Sequence, residues 1–317
     1  VMPAYNEMLA DRRSKLGLDT LRQWDTSVDP DGLEPLRPFT EVEEMVTKTK
    51  GIFDQVDGEL AAGFQTMRDG RLLDLANRKG KAPGGYQSSL PEARLPFIFM
   101  NSVGLQRDVE TLLHEAGHAF HTLAAQGEDI HEYQHAPLEF CEVASMSMEL
   151  VGNEHLEEFY SHDDCVRARR QHLEGIIGLF PWIATVDAFQ HWIYTHPKHT
   201  LEERDEAWNG LLDRFGGDID WSGHEKARTK MWHRQSHIFL VPFYYIEYGI
   251  AQLGALGVWN NSKTDRTQAL SDYKKALALG GSRPLPELFA AANIPFQFDT
   301  EAFKPLVELI QSELAAL

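Results

Sequence analysis

The chain has 317 residues, 43% hydrophobic and 10% aromatic, enough to bury a substantial core in one large domain or two smaller ones. Thirty Lys and Arg against 48 Asp and Glu leave a net charge of −18, which repels nucleic-acid phosphate and anionic lipid and excludes both as expected partners. No apolar run approaches the ~20 residues of a membrane helix, and no basic-then-apolar signal pattern opens the chain. Two cysteines, Cys141 and Cys165, provide no disulfide framework, so a reducing, cytoplasmic setting is expected.

In chain order, Val1-Met2-Pro3 leads straight into a helical stretch over 4–16, as a fragment of a longer chain would. Thr40-Glu41-Val42-Glu43 reads as a capping box ahead of an apolar-periodic helix to about Met67. Lys81-Ala-Pro-Gly84-Gly85-Tyr86 then breaks the helical pattern, and the run 95–100 follows, so 80–102 is expected to hold a loop and one or two strands. Helices are expected over 106–126, 137–151, 163–195, 242–258, 265–279 and 301–316, with a second capping box, Thr200-Leu-Glu-Glu203, opening one that ends near Gly216. There is no repeat and no linker rich in Pro, Gly or Ser. The prediction is a mainly α fold, one domain over 1–317, with a small β-sheet just before the helix that carries the principal motif.

That motif is His114-Glu115-Ala-Gly-His118. Histidines at i and i+4 share a helical face, so both imidazoles reach one Zn²⁺ at ~2.0–2.1 Å. Glu115, one position round the helix, sits beside the metal, where a carboxylate can take a proton from a metal-bound water. Leu112, Leu113, Ala116, Ala119, Phe120 and Leu123 make the same helix apolar on one side, which places the motif in a core rather than a loop.

A catalytic zinc needs a third protein ligand. His121 lies seven residues, ~10 Å of helix, from His114, too far for all three histidines to meet one ion. Ala124 stands where a longer three-histidine motif needs its last histidine. The following helix offers Glu142 and Glu139; Glu142, among Phe140, Cys141, Val143 and Ala144, is preferred because a carboxylate there needs a metal or cationic partner. His131 and His135 fall on a polar connection and are not expected to be ligands. Further on, His237 and Tyr244, Tyr245 and Tyr248 concentrate imidazole and hydroxyl donors. Such groups can hold an oxyanion, or can be ordinary aromatic packing.

The stretches Glu110-Thr-Leu-Leu-His114-Glu115-Ala-Gly-His118-Ala-Phe-His121, Glu142-Val-Ala-Ser145, Pro242-Phe-Tyr-Tyr-Ile-Glu-Tyr-Gly249 and Lys81-Ala-Pro-Gly-Gly-Tyr86 together resemble the thimet oligopeptidase and oligoendopeptidase F family of zinc peptidases, the oligoendopeptidase F branch most closely. The resemblance implies a zincin-like helical metallopeptidase with a motif core over about 80–260, cleaving short peptides in the cytoplasm with one zinc ion. It carries over His114, His118 and Glu142 as ligands, Glu115 as base, and His237 with Tyr244 or Tyr248 as substrate or oxyanion contacts. It also implies an additional N-terminal helical lid region, so that a chain beginning at Val1 is expected either to miss part of that lid or to be one piece of a longer protein whose missing segment is a potential partner. Gly84, Gly85, Tyr86, Phe99 and Tyr245 are candidate substrate contacts, with 97–101 either a sheet edge that clamps the peptide or a core strand. A helical zinc carboxypeptidase or dipeptidyl peptidase would use the same ligands. A non-catalytic peptide-binding protein on this fold would be marked by loss of Glu115, which is present.

Overall fold

Apolar periodicity becomes helix through most of the chain. In the computed structural model, which describes residues 1–317, the helices are α1 (Met2–Lys15), α2 (Val42–Val56), α3 (Gly58–Asp69), α4 (Gln106–Ala125), α5 (Leu138–Gly152), α6 (His162–Thr195), α7 (Leu201–Phe215), α8 (Glu225–Thr229), α9 (His237–Leu240), α10 (Tyr245–Thr264), α11 (Arg266–Leu277), α12 (Leu285–Ala291) and α13 (Thr300–Ala316). Between α3 and α4 lie β1 (Leu73–Ala76), β2 (Tyr86–Leu90) and β3 (Leu95–Ser102). No helix is long and apolar enough to cross a membrane.

The chain forms two compact units. One gathers 1–35, 171–249 and 303–316; the other gathers 36–170, 250–302 and Leu317. Each is assembled from segments far apart in sequence; one boundary falls in the coil between Pro35 and Leu36, and the others fall inside α6 and α10 and within or at the end of α13, where no linker composition marks them.

In the unit that contains α4, a three-stranded sheet has the order β1-β3-β2, β3 pairing parallel to β1 and antiparallel to β2. Alternate residues of β3, Ile98 and Met100, are buried, while Phe97, Phe99 and Asn101 lie on the opposite, less buried face, as the two-residue strand period requires. Phe53, Phe64 and Phe120 pack α2, α3 and α4 together, and Phe140 of α5 meets Phe289 of α12. The buried Tyr273 hydroxyl of α11 donates to the Ala144 carbonyl of α5 at 2.8 Å. In the other unit, Ile183, Val186, Phe189, Trp208, Leu212, Trp232, Ile238 and Tyr245 form the core.

Three local expectations change. The helix expected from Thr40 to Met67 is two helices: Asp57 is extended and its carboxylate accepts from the Glu59 and Leu60 N–H groups, capping α3 and stopping α2. Its first box is displaced too, since Glu41 is the N-cap and Thr40 N–H instead reaches the Glu44 carboxylate. The sheet has a third strand, β1, outside the expected interval. The box at Thr200 forms as expected, its hydroxyl accepting from Glu203 N–H and the Glu203 carboxylate accepting from Thr200 N–H.

Candidate active site

Helices α4 and α5 build a cluster that could hold a metal ion, and glycine lets them approach. A Cβ on Gly117 would stand 2.5 Å from Ser145 Cα and 2.6 Å from the Ala144 carbonyl oxygen. With none there, α5 lies directly against the motif turn and brings Glu142 to the histidines.

His114 Nε2 lies 3.2 Å from His118 Nε2 and 3.3 Å from Glu142 Oε2, and His118 Nε2 lies 3.7 Å from the same oxygen. Donors bound tetrahedrally to zinc at ~2.0–2.2 Å are separated by roughly 3.3–3.6 Å, the edge of the tetrahedron. The three separations therefore fit one zinc-sized ion, and these are the residues whose donor atoms converge. His121 and Glu139 do not join them: His121 is buried beside Phe140 with Nε2 unpartnered, and Glu139 lies half-buried in the first turn of α5. His131 and His135 are exposed on the connection between α4 and α5.

Each of the two candidate imidazoles is oriented from α5. His114 Nδ1 meets Glu149 Oε1 at 2.6 Å, and His118 hydrogen-bonds to the Cys141 backbone. Both rings thus turn Nε2 toward the common point, as histidines do when an acceptor behind the ring fixes their orientation at a metal. Glu149 was not among the sequence candidates. Its signal was there: seven residues after Glu142, it repeats the same face of α5.

The charges are set by burial and by one another. Desolvation disfavours a charged His114, but hydrogen bonds to Glu142 and Glu149 outweigh it and raise its pKa well above the usual value. Burial, reinforced by the charge on His114, pushes His118 down to about 4. Glu142 is desolvated as well, yet the His114 hydrogen bond and the nearby His118 hold it below the ordinary carboxylate range. Glu115, 6% exposed, is pushed up to about 7 mainly by burial, while a hydrogen bond from the Gln87 backbone favours its ionised form. A carboxylate poised near neutrality can hold or release a proton at little cost.

A cleft of about 500 Å³ opens beside these groups, lined by Gly84, Gly85, Asn101, Thr111, His114 and Glu115 among others. Tyr86 is half exposed and stacks on Phe99, ring centroids 4.9 Å apart. Of the two alternatives for 97–101, sheet edge or core strand, the structure shows the second: β3 is the central strand, Phe97 to Phe99 being paired with Ser88 to Tyr86 of β2. The edge strand nearest the motif is β2, whose Gln87 backbone reaches Glu115 and whose Gln87 and Ser89 side chains bond Thr122 of α4 at 3.1 Å.

The second cluster lies in the other unit. Gln235 Oε1 accepts from Trp182 Nε1 at 3.1 Å, which turns its amide NH₂ to His237 Nδ1 at 2.6 Å. Burial lowers the His237 pKa, so the ring is neutral, carries its hydrogen on Nε2 and directs it to the Tyr248 hydroxyl at 3.3 Å. Tyr244 is not on the helix as expected: it precedes α10, after Phe243 at φ +60°, and its ring still lies 5.4 Å from that of Tyr248. Tyr245, expected as a substrate contact, is instead 9% exposed and packed into the core with Trp232 and Ile238.

Comparison with known proteins shows similarity to peptidases in sequence and fold. The chain matches a solved structure of PZ peptidase A with an inhibitor at 32% identity and TM-score 0.92, covering 100% of this chain and 56% of that one. It matches an X-ray structure provisionally assigned as oligoendopeptidase F at 33% identity and TM-score 0.90, with 100% and 56% coverage. An oligoendopeptidase F homolog of Lactococcus lactis is 21% identical over 332 residues, covering all of this chain and 52% of that protein, so the chain spans about half the length of such curated relatives. The profile of Peptidase family M3 matches residues 1–304, and the chain belongs to that family.

Proposed function

We propose that the chain is the catalytic portion of a cytoplasmic zinc endopeptidase that hydrolyses short oligopeptides. The observation that carries the reading is the set of donor separations, 3.2, 3.3 and 3.7 Å, among His114, His118 and Glu142 with Glu115 alongside. Zinc, when bound, supplies a Lewis acid that acidifies a water and polarises a peptide carbonyl.

The chain's own groups do the rest. His114 presents Nε2 because Glu149 holds its Nδ1, and the Cys141 backbone bonds the His118 ring. Glu142 adds one negative charge and a third donor. Glu115 takes a proton at its carboxylate as the water attacks and returns it to the leaving amine, while the Gln87 N–H fixes the carboxylate's direction. The edge of β2 and the backbone of Gly84 and Gly85 offer sequence-independent hydrogen bonds to an extended peptide. The related proteins named as oligoendopeptidases support oligopeptides as the substrate class.

A defined ten-residue peptide, incubated with metal-analysed protein and followed by mass spectrometry, tests the proposal. Internal cleavage that stops on chelation and returns with zinc is expected. Removal only of terminal residues would replace endopeptidase with exopeptidase, and no cleavage by zinc-loaded protein would overturn the reading.

A further inference from the structure

The rim of the cleft is an exposed loop held by a buried cation. Residues 77–80 and 82–85 are exposed without exception, so no apolar side chain of the loop anchors it in a core. The Lys81 side chain is only 1% exposed. Its ammonium donates to the carbonyls of Asp74 and Ala76 at 2.9 Å each and of Met100 at 2.5 Å, and pairs with Asp74 Oδ1 at 3.1 Å. It also lies 4.4 Å from the centre of the Phe99 ring. The pairing of β1 with β3 slips between Asp74 and Ala76, so Lys81 bonds carbonyls where the ladder is irregular. A second tie comes from Asn101, whose Nδ2 donates to the carbonyls of Ala82 at 2.6 Å and Gly84 at 3.3 Å. Gly84 has φ +98°, and a Cβ on Gly85 would stand 3.1 Å from Thr111 Cγ2 and 3.3 Å from Met100 Cβ.

We propose that Lys81 is a positioning residue for peptide binding: by tying the loop to β1 and β3 it presents the Gly84–Gly85 backbone to the cleft in one fixed conformation. The inference rests on the peptidase reading above. Two glycines in an exposed loop would otherwise sample many conformations, and a peptide would bear the entropy of ordering them. Lys81 touches neither the metal ligands nor Glu115 among its hydrogen-bond and ion-pair partners, so its removal acts on substrate binding and leaves the chemistry in place.

The test compares wild type with Lys81→Met, which keeps much of the stem and removes the charge, and with Asn101→Ala, which cuts the second tie without touching a buried ion. Amide exchange over 82–86, zinc content, unfolding midpoint, kcat and KM for one peptide are measured on each. The expected result is faster exchange confined to that loop and KM raised about tenfold, with kcat within about twofold and zinc retained. Unchanged exchange in both variants, or faster exchange with unchanged KM, would overturn the proposal. A fall in kcat and zinc content together in both variants would reassign Lys81 to general structural support. Wild-type protein that cleaves no peptide would defeat the peptidase reading, whereas the exchange arm would still report whether Lys81 holds the loop.

Discussion

His114 Nδ1 and Glu149 Oε1 are 2.6 Å apart, a contact that joins two helices and decides which nitrogen of His114 is left for a metal. Glu149→Ala leaves the ring free to turn and is expected to lower zinc affinity by about 10–100-fold. Glu149→Gln retains an acceptor for the Nδ1 hydrogen and should lose much less. Competition with a chromophoric chelator measures both; equal affinity in wild type and Glu149→Ala would remove this role from Glu149.

The approach of α4 to α5 depends on the absence of a side chain at Gly117, where a Cβ would lie 2.5 Å from Ser145 Cα. Backbone cannot move aside as a flexible side chain can, so Gly117→Ala is expected to destabilise by about 1–3 kcal/mol and to weaken metal binding as the helices separate. Gly210→Ala is the contrast, an exposed position in α7 with nothing within 4 Å of the added atom, and should stabilise by up to about 1 kcal/mol. Denaturant midpoints distinguish the two, and a neutral Gly117→Ala would contradict the packing described.

Zinc binding should release protons. In the metal-free protein, hydrogen bonds to Glu142 and Glu149 outweigh desolvation, raise the His114 pKa well above its usual value and so favour the charged ring. The metal requires the neutral ring, so one proton leaves His114, and Glu115, pushed up to about 7, adds a fraction as the cation stabilises its ionised form. Apparent affinity is thus greatest at high pH and falls about tenfold per pH unit once His114 is charged. Titration calorimetry in buffers of different ionisation enthalpy counts the protons: about one to two per zinc at pH 7 is expected, and heats independent of buffer would contradict the His114 assignment.

The most specific parts of the site were also the most legible in sequence. His114, Glu115 and His118 announce themselves through helical spacing, and Glu142 through its apolar neighbours, because burying a carboxylate requires a partner. Glu149 was harder to read: a lone carboxylate on a helix is usually solvated, and its role depends on where α4 lies. Among the elements, β1 is four residues containing Asp and Ala, and its pairing is supplied by β3, more than twenty residues away. The stop at Asp57 was readable from Asp-Gly-Glu, a cap signal masked by the apolar periodicity on either side. Tyr245 is the first residue of α10 and packs with Trp232 and Ile238, partners distant enough in sequence that the spacing of the tyrosines does not reveal them.

The most direct test measures bound zinc and peptide turnover together in four proteins. Wild type should hold one zinc and cleave; Glu115→Gln should keep the zinc and lose turnover by about 10²–10⁴, since it removes the base and not a ligand. Glu142→Ala should lose zinc and activity together, while Glu139→Ala should keep both. Near-normal kcat in Glu115→Gln, or full zinc occupancy in Glu142→Ala, would contradict the account.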